Sequence, residues 1–164
     1  MIRVAAVGDV HFDRTSAGRI RDYLGDICRQ SDIFLLAGDL TQMGDPEEAQ
    51  VLANDLEGCQ IPVVAVLGNH DYHLGQEAEI TRRLQRAGVV VLEGNSEIFH
   101  VNGETVGVAG IKGFGGGFTG ACASEFGEEE MKVFIRHTKN QARQLKESLL
   151  GLQTPYKIAL LHYS

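Results

Sequence analysis

The amino-acid sequence predicts an α/β protein with mixed sheets. Over the first 92 residues, short runs of aliphatic and β-branched side chains alternate with longer amphipathic stretches, which is the pattern of alternating strands and helices. The pair Asn102-Gly103 then separates two strand-like segments, the strongest short signal for a β-hairpin. A last apolar run from Tyr156 predicts a further buried strand. These observations indicate parallel strands in the first half of the chain and antiparallel strands in the second.

The first half is predicted to follow the order βαβαβαβ. Thr15 or Ser16 is expected to cap the first helix. Asp45-Pro46-Glu47-Glu48 marks the start of the second, because it combines an acidic cap, a Pro at the first helical position and a Glu three residues after the cap. This order implies right-handed crossovers and a largely parallel sheet. The strands are predicted at residues 2–7, 32–37, 61–67 and 89–92, and the helices at 15–30, 46–57 and 76–87.

The second half contains a glycine-rich stretch at residues 113–120. It formally fits the glycine pattern of dinucleotide-binding loops, but it follows an antiparallel hairpin, and Asn140 stands where that pattern has an acid. We therefore expect this loop to form a mobile rim of a functional site. The remaining elements are predicted as hairpin strands at 96–101 and 104–110, a polar helix at 124–150 and a final strand at 156–164.

The composition limits the class of protein. A chain of 164 residues with 43% hydrophobic and 23% charged residues is typical of one soluble globular domain, which we expect to cover residues 1–164. The apolar runs have only strand length, so we expect no membrane helix and no signal peptide, and a cytoplasmic location. Three widely spaced cysteines argue against a disulfide framework. The net charge of −7 disfavours nonspecific binding to nucleic acid, but it permits a phosphate substrate where cations invert the local field.

Polar side chains follow three of the predicted strands at their carboxyl ends. The first strand leads into Gly8-Asp9-Val10-His11, the second into Gly38-Asp39-Leu40-Thr41, and the third into Gly68-Asn69-His70-Asp71. His162 closes the last apolar run. Because open α/β sheets bind ligands outside the carboxyl ends of their strands, we expect these side chains to share one rim.

The side chains at this rim form a mixed oxygen and nitrogen ligand set without thiolate. Asp9 and His11 are two positions apart and can turn to the same ion, and the two oxygens of Asp39 can bridge two ions. Such a set suits Mn, Fe, Zn, Ni or Co, and it is too rich in nitrogen for Ca or Mg. Two divalent metal ions about 3.5–4 Å apart can hold a hydroxide and clamp two phosphoryl oxygens, which predicts hydrolysis of a phosphoester.

These blocks resemble the motifs of the calcineurin-like metallophosphoesterases, which are GDxH, GDxx, GNHD or GNHE, and a later His, in this order along the chain. The resemblance implies an αββα sandwich with a dinuclear metal centre. It places Asp9 and His11 on the first metal and Asp39 between both metals. It places Asn69 and His162 on the second metal.

The resemblance also implies a catalytic pair beside the metals. His70 is expected to contact the phosphate, either as the acid that protonates the leaving oxygen or as a group that stabilises the charged transition state. Asp71 is expected to orient the His70 ring. The other histidines are expected on solvated surfaces, namely His73, His100 and His137.

One block of the family pattern is absent from this sequence. Family members continue past the late His to a GHxH block that gives one histidine to each metal, whereas this sequence stops two residues beyond His162. We therefore expect the C-terminal part of the fold to be missing, and metal affinity and turnover to be weakened. The alternative is that water or another chain supplies the missing ligands, and a homo-oligomer is left open.

The sequence supports a metal-dependent phosphohydrolase that acts on a phosphomonoester or phosphodiester, either a small molecule or a nucleotide. A weakened or inactive scaffold or binding module on the same fold is the alternative, because two ligands are absent. The presence of His70, which a scaffold would not need, favours the enzyme. An oxidoreductase that binds a dinucleotide would rest on the glycine-rich loop alone.

Overall fold

A computed structural model describes residues 1–118 and 120–163 of the chain. The first half forms a four-stranded parallel sheet whose spatial order equals the chain order, and this places the connecting helices on one face. Its strands are β1 (Val4–Val7), β2 (Ile33–Ala37), β3 (Val63–Val66) and β4 (Val90–Val91). The connecting helices are α1 (Arg21–Gln30), α2 (Pro46–Leu56) and α3 (Glu77–Arg86), and a short 3-10 helix, His70–Tyr72, follows β3.

The second half builds a mixed three-stranded sheet. β5 (Asn95–Val101) and β6 (Glu104–Lys112) form the predicted hairpin, with Asn102-Gly103 as its turn. A separate small ribbon follows, made of β7 (Gly117–Phe118) and β8 (Ala121–Cys122). The long helix α4 (Glu129–Gly151) then leads into β9 (Tyr156–His162), which pairs with β6 in parallel.

Two layers of buried side chains hold the molecule together. Successive residues of β2 point to opposite faces of the sheet, so Phe34 and Leu36 pack towards helices α1 to α3, and Ile33 and Leu35 pack towards the second sheet. Helix α4 lies against the second sheet, since it contacts β5, β6 and β9. The layers therefore follow the order helices, sheet, sheet, helix, which confirms the predicted αββα sandwich.

The first helix begins at Arg21, later than predicted, because the two expected capping residues have another partner. The hydroxyls of Thr15 and Ser16 donate to the carboxylate of Asp13, at 2.8 and 2.9 Å. The start of α1 is capped by Asp55 of α2, whose buried carboxylate accepts backbone N–H groups there, including that of Arg21 at 3.4 Å. The cap therefore comes from a distant element, in contrast to α2, whose own Asp45 forms the predicted capping box.

The glycine-rich stretch is partly ordered by contacts with α4. Thr138 of α4 donates its hydroxyl to the carbonyl of Gly115, and the ring of Phe114 lies 4.4 Å from that of His137. Two features differ from the prediction: β7 lies within the predicted loop and pairs with β8 just after it, and α4 starts at Glu129 and not at residue 124. Thr119 of this stretch lies outside the described residues, and the mobility of the rim stays a prediction.

The last strand is only half buried, which corrects the prediction of a fully buried strand. Tyr156 and Leu161 of β9 are 46% and 41% exposed, whereas Leu160 is 5% exposed. In the part of the chain that the structure describes, β9 pairs only with β6, and β1 pairs only with β2. Both are therefore outer strands of their sheets. The expectation that the C-terminal part of the fold is missing stays a prediction.

Two further properties concern the whole chain. Among residues 1–118 and 120–163, no helix combines the length and the apolar character that crossing a bilayer requires. The three cysteines are free thiols, with Cys122 exposed and the sulfur atoms of Cys28 and Cys59 in contact at 3.2 Å. Burial raises the pKa of Cys59 to about 11, so this thiol stays protonated at neutral pH.

Candidate metal centre

The loops after β1, β2 and β3 meet at one edge of the first sheet. The first two loops run side by side, since the backbone N–H of Asp9 donates to the carbonyl of Gly38 at 3.1 Å, and that of His11 to the carbonyl of Asp39 at 2.9 Å. The third loop joins them through the backbone N–H of His70, which donates to Oδ1 of Asp39 at 3.0 Å. The topology therefore explains why side chains far apart in the sequence share one rim.

Three residues at this rim have a strained backbone. Asp9, His11 and Asp39 have φ angles of 54°, 42° and 49°, a left-handed conformation that residues other than glycine adopt at a cost. Among the described residues the only other non-glycine residue with positive φ is Asn102, in the hairpin turn. Such strain concentrates at functional sites, where the surrounding fold imposes it. The fold thus forces these three side chains into directions that the loops alone would not favour.

Two glycines allow the close approach of the loops. A Cβ atom at Gly68 would lie 2.1 Å from Oδ1 of Asp39, and one at Gly38 would lie 2.4 Å from Cβ of His162. Gly38 also has a φ of 81°, which favours glycine. Any side chain at these two positions would displace Asp39 or His162, so the glycines belong to the construction of the site.

The polar atoms of the rim face one another across short gaps. Oδ2 of Asp39 lies 3.7 Å from Nε2 of His11, and its Oδ1 lies 3.5 Å from Nε2 of His162. Asp9 Oδ1 lies 3.9 Å from Nε2 of His11. Asn69 Oδ1 lies 3.2 Å from Nε2 of His162. The structure thus brings together all the residues that the sequence predicts as metal ligands, namely Asp9, His11, Asp39, Asn69 and His162.

Two overlapping groups of these atoms are compact enough to hold metal ions. One consists of His11, Asp39 and His70, and the other of Asp9, Asp39 and His162, with the donor atoms of each group within 4.8 Å of one another. Asp39 belongs to both groups, as a bridging ligand would. The two groups differ from the expected assignment, which placed Asp9 and His11 on the same metal. In the structure Asp9 is grouped with His162, and His11 is grouped with His70, which was predicted to bind phosphate.

The hydrogen bonds of His162 determine which of its ring nitrogens is free. Nδ1 lies 2.9 Å from the carbonyl oxygen of Ala37, and since a carbonyl can only accept, Nδ1 carries the proton. In the neutral ring Nε2 then has a lone pair, and it faces the side-chain oxygens of Asn69 and Asp39 at 3.2 and 3.5 Å. Three electron-rich atoms that face one another repel, whereas a cation among them would attract all three.

The surroundings of Asp39 also fit a cation. The residue is only 4% exposed, and among the described residues it forms ion pairs with histidines and with no lysine or arginine. A buried carboxylate requires hydrogen-bond donors or a positive partner, because its charge is costly in a medium of low polarity. The ring atom Nδ1 of His11 is buried and has no hydrogen-bond partner in the described chain. The donor set of carboxylates, amide oxygen and imidazole nitrogens therefore fits divalent cations.

The His70 ring is held by a main-chain carbonyl and not by Asp71, which corrects the prediction. Nδ1 of His70 lies 2.7 Å from the carbonyl oxygen of Gln42, so this nitrogen also carries a proton. The ring meets that of His11 edge to face, with 4.4 Å between centroids. Nε2 of His70 is thereby the atom that can act at the rim.

Asp71 instead joins the loops after β2 and β3. Its carboxylate is fully buried and accepts the backbone N–H groups of Leu40, Thr41 and Gly68 and the hydroxyl of Thr41. Burial raises the pKa of the Asp71 carboxyl, and these donors act in the opposite direction. Its place next to His70 in the sequence suggested a direct contact, but the 3-10 turn directs the two side chains to different partners.

Lys112 is a residue of the site that the sequence analysis missed. It ends β6 and lies in register with His162 of β9. Its ammonium group lies 5.3 Å from the ring centre of Phe114 and 5.6 Å from that of Tyr72. Burial lowers the pKa of Lys112, and nearby carboxylates, including that of Asp39, act in the opposite direction. The available signal was a charged residue at the carboxyl end of an apolar strand.

The remaining histidines are exposed, as expected. His73 follows the 3-10 helix, and His100 lies on β5. His137 lies on α4, where its ring packs against Phe114. In the part of the chain that the structure describes, none of the three joins the two groups of donor atoms.

Comparison with known proteins agrees with this architecture. The sequence model of the family described as calcineurin-like phosphoesterase matches residues 2–163. The crystal structure of TT1561 of Thermus thermophilus is similar, with a TM-score of 0.57 and 18% identity, over 99% of this chain and 68% of that chain. Among curated proteins, the uncharacterized protein YpbG of Bacillus subtilis (strain 168) is 26% identical over 122 residues, which are 73% of this chain and 40% of YpbG.

An αββα sandwich with a rim of carboxylates and imidazoles is compatible with a metal-dependent hydrolase. Because the family model matches nearly the whole sequence, this chain belongs to the calcineurin-like phosphoesterase family. The family supports a hydrolase that binds divalent metal. The likeness to TT1561 supports the fold alone, and the matched region spans less than half the length of YpbG.

Proposed function

We propose that this chain is a metal-dependent phosphohydrolase that cleaves a phosphomonoester or phosphodiester with two divalent cations. The observation that carries the proposal is the position of Asp39, a buried carboxylate that belongs to both groups of donor atoms. A shared carboxylate suits two cations about 3.5–4 Å apart. The mixed donor set suits Mn, Fe, Zn, Ni or Co.

In this proposal Asp39 would be a ligand of both cations, and four further residues would complete the protein's share of the ligands. The Nδ1 hydrogen bond from His162 to Ala37 fixes its ring with Nε2 towards the centre. When bound, the cations supply Lewis acidity and positive charge for the attack of water on phosphorus. The four further ligands are Asp9, His11, Asn69 and His162.

His70 is the residue proposed to act on the phosphate. The carbonyl of Gln42 holds its Nδ1 proton and leaves Nε2 near His11 and Asp39. As an imidazolium, His70 can donate from Nε2 to the leaving oxygen or to a phosphoryl oxygen in the transition state. Asp71 is a positioning residue, since it holds the loop of His70 against the loop of Asp39.

Replacement of the central carboxylate tests this proposal. In Asp39→Asn the side chain loses its negative charge and cannot bridge two cations, so we expect the Mn content after dialysis to fall to one ion per chain or fewer. Hydrolysis of p-nitrophenyl phosphate and of its bis ester should fall by about 100-fold or more. Asp22→Asn, at an exposed position of α1, is the control and should change neither quantity.

Two results would contradict the proposal. One is a wild-type chain that hydrolyses neither ester after loading with Mn, Fe, Zn, Ni or Co in turn. The other is an Asp39→Asn variant that keeps both its metal content and its turnover.

A further inference from the structure

A cleft opens beside Asn69, between the metal centre and α4. Its volume is about 370 Å³, which lies within the range of ligand pockets in proteins. Aromatic rings from three separate elements line it, namely Tyr72 of the 3-10 helix, Phe114 of the loop after β6, and His137 of α4. None of these rings has a part in the proposed metal binding or in the chemistry at phosphorus.

The aromatic rings of the cleft and the ammonium group of Lys112 are held in place by contacts with neighbouring residues. Phe114 packs against Phe134 at 5.0 Å between ring centres and against His137 at 4.4 Å, with an interplanar angle of 77° for the second pair. The ammonium group of Lys112 lies 5.6 Å from the ring centre of Tyr72 and 5.3 Å from that of Phe114, and it donates to the carbonyl of Gly113 at 3.0 Å. A planar ring that enters the cleft therefore contacts aromatic side chains. The positive charge of Lys112 lies between this ring and the metal centre.

Two side chains that line the cleft, Gln141 and Glu93, carry acceptor oxygens. Oε1 of Gln141 is buried and has no hydrogen-bond partner among the described residues. Glu93 lines the same cleft, and although the residue as a whole is exposed, desolvation raises the pKa of its carboxyl, whereas the backbone N–H and charge of Lys112 and the hydroxyl of Tyr72 act in the opposite direction. A buried acceptor without a donor is unfavourable. The cleft is therefore complementary to a ligand that brings N–H groups.

We propose that this cleft binds the base of a nucleoside phosphate, that the base carries an exocyclic amino group, and that its phosphate lies at the metal centre. This inference rests on the proposed phosphohydrolase function and names the substrate class of the same site. The base packs against Phe114 and Tyr72. Its amino group offers two N–H hydrogens, one for Gln141 and one for Glu93. Lys112 lies between the base and the carboxylates of the centre, where it attracts the phosphate.

Binding to the Mn-loaded His70→Ala chain, whose turnover should be slow, tests the inference independently of hydrolysis. Isothermal titration calorimetry would compare matched pairs of 5′-phosphates: adenosine with purine riboside, guanosine with inosine, and cytidine with uridine. At least one amino-bearing member should bind about tenfold more tightly than its partner, because an unsatisfied buried acceptor gains a donor. Ribose 5-phosphate, which lacks a base to stack, should bind most weakly of all.

Two variants of α4 locate the effect. Gln141→Leu removes the acceptor at similar size and should abolish the preference for the amino group. Gln144→Leu lies three residues further along the same helix at an exposed position and should keep it. Phe114→Leu should weaken all nucleoside phosphates towards the affinity of ribose 5-phosphate, since it removes a stacking surface.

Equal affinity within all three pairs, no measurable binding, or an unchanged preference in Gln141→Leu would overturn the inference. The outcomes also separate it from the proposed function. Metal-dependent hydrolysis of p-nitrophenyl phosphate without selectivity for a base would remove the cleft assignment alone. Base-selective binding that depends on Gln141, in a chain that hydrolyses no phosphoester with any metal, would remove the proposed function and keep the cleft as a nucleotide-binding site.

Discussion

The rings of His70 and His162 are held in the same way. In each, Nδ1 lies against a main-chain carbonyl oxygen, that of Gln42 at 2.7 Å and that of Ala37 at 2.9 Å. Both rings therefore direct Nε2 to the rim where Asp39 lies. The backbone of neighbouring strands and loops sets the tautomers, so the protonation pattern of the site depends on the fold and not on a second carboxylate.

Replacement of His70 distinguishes a role at the phosphate from a role as metal ligand. We expect His70→Ala to lower kcat for p-nitrophenyl phosphate by about 100-fold or more, because acid catalysis at the leaving oxygen is lost. The number of Mn ions bound per chain should stay the same. His73→Ala, three residues further at an exposed position, is the control and should leave kcat unchanged. A parallel loss of metal and activity in His70→Ala would show that His70 is a ligand.

At the scale of elements, Asp32 joins the two sheets at the amino end of β2, opposite the metal centre. Its carboxylate accepts from the guanidinium of Arg3 at 2.7 Å, just before β1, and from the amide of Asn102 at 2.6 Å, in the turn between β5 and β6. The Arg3 guanidinium and backbone N–H hold the pKa of Asp32 down to about 2. One buried side chain thus connects parts of the chain that are about 100 residues apart.

This pKa shift predicts how the stability contributed by Asp32 depends on pH. The folded chain holds the carboxyl ionised below its ordinary pKa of 3.8, so the contribution is complete above that pH and disappears as the pH falls through about 2. The melting temperature of Asp32→Asn should therefore lie below that of the wild type at pH 7, and the difference should shrink steadily in strong acid.

The control for this measurement is Asp26→Asn, which removes a carboxylate from the exposed pair with Arg29 on α1. Exposed ion pairs contribute little to stability, so this variant should have the same melting temperature as the wild type at every pH. A difference between Asp32→Asn and the wild type that does not change between neutral pH and strong acid would contradict the ionic role of Asp32.

The sequence predicted elements well where their signals are local. The capping box of α2 and the Asn102-Gly103 hairpin lie within a few residues and were found where expected. The start of α1 was misplaced because its cap, Asp55, comes from another helix. The exposure of β9 was missed for a related reason, since an apolar run shows strand propensity and does not show whether a neighbouring strand covers both sides.

At the scale of the whole molecule, the candidate site could be predicted because it follows from topology. Parallel strands bring their carboxyl ends to one edge, so the polar blocks after β1, β2 and β3 had to meet there. The partners of these residues could not be predicted in the same way. Two of these contacts depend on turn geometry, namely that of His70 with Gln42 and that of the buried Asp71 with Thr41. The position of Lys112 near the metal centre depends on the packing of the second sheet.

Anomalous diffraction from crystals soaked in Mn²⁺ measures whether two cations share Asp39. We expect two anomalous peaks about 3.5–4 Å apart, one on each side of the Asp39 carboxylate and each in contact with one of its oxygens. A single peak, or peaks that do not touch Asp39, would contradict this expectation.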